Sequence, residues 1–460
     1  MKFKLKPIEK KWILYDIGNS AFALLISTII PIYFNYLAGD AGISEVNYLA
    51  YWGYATSAAT VIVAVLGPLL GTVSDVAGRK KKIFMIALLA GAFGCVFLGF
   101  MQSWIWFLLL FVFAKSAYSL SLVIYDSMLT DITSEERMDE VSAQGYAWGY
   151  IGSCVPFICS LLLVLFYDKV GISMQTAMGI SFFLVAVWWI ALTVPLLKSY
   201  RQTHSRKPTV HAGQSGVQRL GQIVSELRKD KKVLFFLAAF FFYIDGVYTI
   251  IDMATAYGTA LGLDTTGLLL ALLLTQIVAF PAALLFGKIS RKVSASRLIL
   301  VCISAYFLIA LYGIGLHRQY QFWILAVCVG CFQGAVQSMS RSYYAKIIPA
   351  EKSGEYFGIY DICGKGASFY GNHSGVCSEP DYRQCKSGSR SAFCDVSGRL
   401  FLVFESGQNR KKRGRTRKSR RTFSAAWIGS VIYAKNAFAA LSRYSVSLTP
   451  AVSYGECIAS

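Results

Sequence analysis

The chain has 460 residues, 55% of them hydrophobic and only 15% charged, with a formal net charge of +20. A soluble domain carries roughly 25% charged residues, so this composition excludes an ordinary water-soluble enzyme or binding module and makes lipid the main solvent. The size of the positive charge does not separate nucleic acid from membrane as its counterpart; its placement does.

In chain order, apolar runs stand near 12–37, 49–73, 83–101, 104–129, 142–166, 175–197, 233–260, 265–287, 297–316 and 320–345, and an eleventh starts near Tyr356 and fails at Tyr370. About 20 helical residues cross the hydrocarbon core, and a span in lipid must satisfy its own backbone, so each run reads as a helix. Pro31, Pro68, Pro156 and Pro281 are positions where spans can bend, and Trp12, Trp52 and Trp104 fit an interfacial aromatic belt. Basic residues occupy alternate connections: Lys2 to Lys11 at the start, Arg79 to Lys82, the stretch 198–232, and Lys288 to Arg297. The other connections hold almost none. That alternation predicts an integral, multi-pass membrane protein with a cytoplasmic N-terminus, in the plasma (inner) membrane if bacterial. The basic start is followed by too long an apolar run to be a cleavable signal.

The halves echo each other. "GTVSDVAGRKK" from Gly71 follows the second run and "GKISRKVSASR" from Gly287 the eighth; "DITSEER" follows the fourth and "KIIPAEK" the tenth. Gly71 to Gly287 and Glu135 to Glu351 share one offset, 216 residues. The expected organisation is a six-helix half at 1–197, a basic cytoplasmic linker at 198–232, and a second half at 233–369 with four spans and the start of a fifth. Two similar halves are a transporter architecture, with the site between them near midplane.

The loop G-x-x-x-D-x-x-G-R-K-K, here Gly71, Asp75, Gly78, Arg79, Lys80 and Lys81, resembles the cytoplasmic loop motif of the major facilitator superfamily. Within that superfamily "YDIGNSAFALLISTIIPIYF", "YIDGVYTIIDMATAYG" and "GIYDICGKGAS" resemble the vacuolar effluxer-like, autophagy-related permeases, over residues 10 to about 369. The resemblance implies an all-α, major-facilitator-like fold of two pseudo-repeated six-helix halves, here with the last one or two helices missing. It also implies a central cavity lined by spans 1, 4, 7 and 10, and export of amino acids or similar small solutes. The motif is then expected to close the cytoplasmic side against the start of span 11, with Asp75 accepting from Arg79 and from backbone N–H groups at that helix start.

From Tyr370 to Ser460 the pattern stops, and "RKKRGRTRKSRR" follows. This part reads as an aberrant, disordered basic tail. Shifting the reading of "YGNHSGVCSEPDYRQCK" by one base permits residues that would continue an eleventh span, which predicts a frameshift near codon 370.

Ionisable and amide side chains inside spans are costly unless paired or hydrated, so each is a candidate. They are Asp16 and Asn19 (first span), Lys115 and Asp126 (fourth), Asp245 and Asp252 (seventh), Gln276 (eighth), and Gln333, Gln337 and Arg341 (tenth); Asp361 and Lys365 open the eleventh. Desolvation holds a proton on a carboxyl and a nearby cation expels it, so binding of a cationic solute can be coupled to proton release. Lys115 or Arg341 can also supply that cation. The structural alternative for each is an ion pair or a helix-end cap. Gly145, Gly149 and Gly152 follow small-xxx-small spacing and are expected to pack helices closely.

The expected activity is secondary transport of a small molecule, coupled to protons or another ion, by a monomer in the lipid bilayer. The alternatives are a drug or metabolite exporter within transport, and a truncated, non-transporting membrane protein outside it. No G-x-x-x-x-G-K-S/T, H-E-x-x-H or G-x-S-x-G occurs, so no enzyme is expected, nor any cofactor, metal or nucleic-acid partner. Eleven cysteines are scattered mostly through apolar runs, and Cys328 and Cys331 read as buried apolar residues rather than a redox pair.

Overall fold

The computed structural model describes residues 3–207, 216–260, 264–314, 316 and 318–376. The first apolar run forms two helices, α1 (Pro7–Ser27) and α2 (Ile29–Asp40), parted at Thr28. Pro31 accounts for the break. Its ring crowds the carbonyl four residues back, that of Ser27, and it has no N–H to offer that carbonyl. Then come α3 (Glu45–Ser74), α4 (Lys80–Leu98), α5 (Trp104–Ser127) with its short extension α6 (Leu129–Ile132), α7 (Met138–Leu165), α8 (Tyr167–Val170) and α9 (Met174–Ser199). Pro68, Pro156 and Pro281 lie inside helices that continue past them.

Next are α10 (Gly216–Lys229), α11 (Lys231–Ala260), α12 (Thr265–Ile289), α13 (Ala295–Ile314) and α14 (Gln319–Ile347); a 3-10 turn at Ala350–Lys352 leads into α15 (Ser353–Val376). Ser44, Ser173 and Asp264 cap α3, α9 and α12 by accepting from the backbone three residues on. Helix α15 differs from the expected eleventh run: it begins three residues before Tyr356 and continues through Tyr370 to Val376. The early start has a cause, because the first N–H groups of α15 find a carboxylate partner, as described below. Residues 377–460, which hold most of the expected disordered basic tail, lie outside the described residues.

Among the described residues, nine helical stretches are long and apolar enough to cross a membrane, and none is a strand. Their outer faces expose large apolar side chains such as Ile86, Phe100, Trp106 and Leu308. A face of that kind is a liability in water and the normal outer surface of a protein in lipid. At about 1.5 Å per residue, the 30-residue α3 is about 45 Å long, well beyond a hydrocarbon core of roughly 30 Å. The membrane-length apolar stretch of α3 is Ala50–Ser74, and Asp75 follows directly after it.

Two main contacts join the helices before residue 200 to those after 230. Helix α3 packs along α15, and α7 packs along α12 and α14. Small residues permit both. A Cβ on Gly71 would stand 2.1 Å from the Gly354 carbonyl oxygen, and one on Gly287 would stand 2.8 Å from the Ala143 Cβ. Since residues 71 and 287 occupy matching places in the sequence repeat, the same device closes both seams.

Candidate functional site

Arg341, on α14, is the largest fully buried charged side chain among the described residues, with 1% exposure. Every partner that holds its guanidinium comes from before residue 200. Nη1 donates to Asp126 Oδ1 on α5 at 2.9 Å, and Nη2 donates to Asp16 Oδ2 on α1 at 3.3 Å. Nε donates to Ser142 Oγ at 3.0 Å and Nη2 to the Ser142 carbonyl at 3.1 Å, both on α7. Three ring faces enclose the guanidinium: Tyr146 at 4.3 Å, Trp12 at 4.7 Å and Tyr125 at 5.8 Å from its central carbon.

The groups around the guanidinium are also joined to one another. Trp12 and Tyr125 stack at 4.5 Å, and each donates to the other's backbone carbonyl, at 3.3 and 3.1 Å. Tyr15 and Ser121 share a hydrogen bond of 2.7 Å one turn away. These contacts fix α1 against α5. Helix α7 comes close enough because Gly145 faces Asp16: a Cβ there would lie 2.3 Å from Asp16 Oδ2. Gly149 and Gly152 stand against Asp16, Ser20 and Ile17 on the same helix, so the small-xxx-small stripe packs α7 on α1.

The other sequence candidates, Asn19 apart, fall outside this cluster. Asn19 is buried on α1 one turn from Asp16. Lys115 is half-buried, its ammonium 5.8 Å from the Phe111 ring centre, and lies about 16 Å along α5 from Asp126. Gln276 and Gln333 approach at 3.5 Å between α12 and α14, and Gln337 accepts from Tyr150 at 3.2 Å. Asp361 and Lys365 pair with each other at 2.6 Å on α15. The side chains of Asp245 and Asp252 lie outside the described residues. Three members of the cluster were not among the sequence candidates: Ser142, Tyr125 and Tyr146. Trp12 is a correction. It is fully buried, not an interfacial anchor, because stacking on Tyr125 and Arg341 holds it inside.

The second structural centre is the 71–81 loop. Asp75 accepts from the N–H of Gly354 at 2.8 Å and of Glu355 at 2.9 Å, the first turn of α15. A carboxylate suits a helix N-terminus because the unsatisfied N–H groups and the helix dipole favour an anion there. Gly78 has φ +73°, a left-handed turn that glycine adopts without strain. Arg79 is a correction: it is exposed, and the cation beside Asp75 is Lys80, 3.8 Å away. Lys80 is fully buried; it also meets Asp131 at 3.3 Å and donates to Ser353 Oγ at 2.8 Å. The helix phase after Gly78 turns Lys80 inward and leaves Arg79 to solvent. Burial pushes the Asp75 carboxyl up to about 6, against the opposing pull of Lys80 and the two N–H groups.

The segment after α9 covers this loop. Gln202 accepts from the Gly78 N–H at 3.0 Å and donates to the Ser74 carbonyl at 3.2 Å. Arg206 donates its N–H to the Asp75 carbonyl at 2.7 Å and pairs with Glu355 at 3.6 Å. Asp131 anchors the segment from below, accepting from Tyr200 at 2.5 Å and from the His204 N–H at 2.8 Å. In the second seam, Arg291 stands where the repeat has Asp75. It binds Glu140, in the first turn of α7, through two bonds of 2.5 Å. The repeat's second copy is therefore also an interhelical contact, with a loop cation on a carboxylate where the first has a loop carboxylate on backbone N–H groups.

Nine membrane-length helices among the described residues, with a buried ion cluster between two helix sets, make this a polytopic helical membrane protein, and its likeness to known proteins makes it a membrane transporter of the major facilitator type. Solved structures agree on the fold. The human organic anion transporter MFSD10 matches at TM-score 0.54 and 13% identity, covering 80% of this chain and 92% of that one. A bacterial homologue of the iron transporter ferroportin matches at 0.55 and 13%, covering 95% and 98%. A family profile described as "Vacuole effluxer Atg22 like" matches residues 6–375. An "Uncharacterized MFS-type transporter YxiO" of Bacillus subtilis (strain 168) is 39% identical over 368 residues, 79% of this chain and 86% of its own length. Autophagy-related protein 22-1 of Penicillium rubens is 26% identical over 257 residues, 50% of this chain and 43% of its own. The chain belongs to the Atg22-like vacuole effluxer family.

Proposed function

We propose that this chain is a secondary transporter that exports a small solute by alternating access. The units 1–197 and 233–369, joined by the cytoplasmic linker 198–232, rock against each other, making and breaking the bridge of Arg341 to Asp16 and Asp126. The observation that carries the reading is that bridge: one guanidinium from the second unit, fully desolvated, held by two carboxylates of the first. A buried ionic cluster of this kind contributes little net stability over a hydrophobic core, and ionisable groups at membrane depth mark solute and proton paths. Two carboxylates against one cation leave a negative balance that a proton or a cationic group on the solute offsets.

The Asp75 latch lies at the end of the basic loops, the cytoplasmic side in this reading. With Asp75 on α15 and Arg291 on α7, the conformation is the one closed on that side. Amino acids are the expected solute class, and drugs or other metabolites the alternative. Purified protein in proteoliposomes, tested by counterflow with a labelled amino-acid panel, should exchange at least one solute. Asp126→Asn should abolish exchange. Equal counterflow in wild type and Asp126→Asn would remove the bridge from the mechanism.

A further inference from the structure

The first unit holds a receptor that is more specific than a pair of acids. It offers two carboxylates, a carbonyl and a hydroxyl to one planar cation, and three aromatic faces around it. All of these groups come from α1, α5 and α7, while the occupant, Arg341, comes from α14. Any motion that separates the units on this side withdraws the occupant and leaves the receptor in place, because Trp12, Tyr125 and Tyr15 brace it internally. Two carboxylates stripped of their cation at this depth are costly. Resting on the alternating-access reading above, we propose that Arg341 is a tethered ligand. The cage of Trp12, Tyr125, Tyr146, Asp16 and Asp126 binds the guanidinium or organic ammonium group of a transported solute once Arg341 withdraws.

The geometry selects the chemical class. Aromatic faces attract cations through their quadrupoles and favour weakly hydrated, flat or alkylated ones. A small metal ion would keep its water and gain little from three rings. An anionic solute would meet two carboxylates. A guanidinium reproduces the bonds that Arg341 makes, including those to the Ser142 carbonyl and hydroxyl.

A tethered occupant lowers apparent affinity by the fraction of time it fills the site. The test uses that signature. Binding of labelled agmatine to the full chain in nanodiscs is measured by equilibrium dialysis for wild type, Arg341→Gln and Arg341→Ala. The proposal expects removal of a positive charge to tighten binding of a positive probe by about tenfold or more. It also expects methylguanidinium to compete, potassium and glutamate not to, and the gain to vanish when Trp12→Leu is added. Arg341→Gln keeps bulk and hydrogen bonding, so it supplies the answer if Arg341→Ala does not fold. Agmatine bound no tighter by the folded Arg341 variant, a gain that survives Trp12→Leu, or competition by potassium equal to that of methylguanidinium would each overturn the proposal. Counterflow is a separate readout. Transport of a neutral solute without agmatine binding sinks the cage and spares the transporter, and binding without any counterflow does the reverse.

Discussion

Gly145 sits where three groups of the bridge converge: an added Cβ would meet Asp16 Oδ2 at 2.3 Å, Arg341 Nη2 at 3.0 Å and the Trp12 ring at 3.1 Å. Overpacking of this kind costs about 1–3 kcal/mol. Gly145→Ala is therefore expected to lower the melting temperature and counterflow together. Gly149→Ala should do less, because its nearest neighbour, Ser20 Oγ at 2.8 Å, can rotate away. Reversal of that order in a thermal-shift series would contradict the packing of α7 on α1.

Asp75 gives a pH prediction. Its carboxyl, at about 6 in the closed latch, titrates near an ordinary value of about 3.9 when exposed. The closed state thus holds a proton that the open state releases between those values. Closure is most favoured below about pH 4, weakens as pH rises to about 6, and is level above that. Lys80 and Glu355, the charged neighbours, do not reverse the sign. Thiol labelling of Thr72→Cys in a background lacking the native cysteines should slow as pH falls from about 6 to 4, after correction for thiolate fraction. Labelling that quickens over this range would show that the latch closes on a carboxylate gaining affinity as it ionises.

Among the elements, the segment 200–206 contributes what the linker's composition did not announce. Its basic residues suggest a connecting segment and no more. Its grip on the Asp75 loop depends on Gln202, Asp131 and Arg206. Asp131 lies 73 residues before His204, and no local pattern relates the two. Replacing residues 200–207 by a glycine–serine stretch of equal length should leave the helices folded while raising the labelling rate at Thr72→Cys. Unchanged labelling would make the segment a passive tether. The second seam is similar. Arg291 matches Asp75 in register, but its partner Glu140 lies 151 residues away and no local pattern relates the two. Arg291→Glu should impair counterflow, and adding Glu140→Arg should restore part of it.

For the whole molecule, the membrane class was readable because lipid imposes it through apolar length; the number of helices was not, since the first run divides at Thr28 into α1 and α2. Asp16, Asp126 and Arg341 were readable for the same reason, since a charge in an apolar run stands out. The aromatic cage was not, because rings are common in spans and only packing distinguishes Trp12 from a belt residue. Arg79 misled because neighbouring basic residues look alike until the turn at Gly78 fixes which one points inward.

The claim that the units must part at the Asp75 seam is tested by locking it. Thr72 Oγ1 donates to Glu355 Oε2 at 3.0 Å across the seam, so cysteines at these two positions, in a background lacking the native ones, can be joined by a short cross-linker. The account predicts that cross-linking arrests counterflow and that a cleavable linker, once cut, restores it; transport at the uncross-linked rate through a seam shown to be joined would contradict the account.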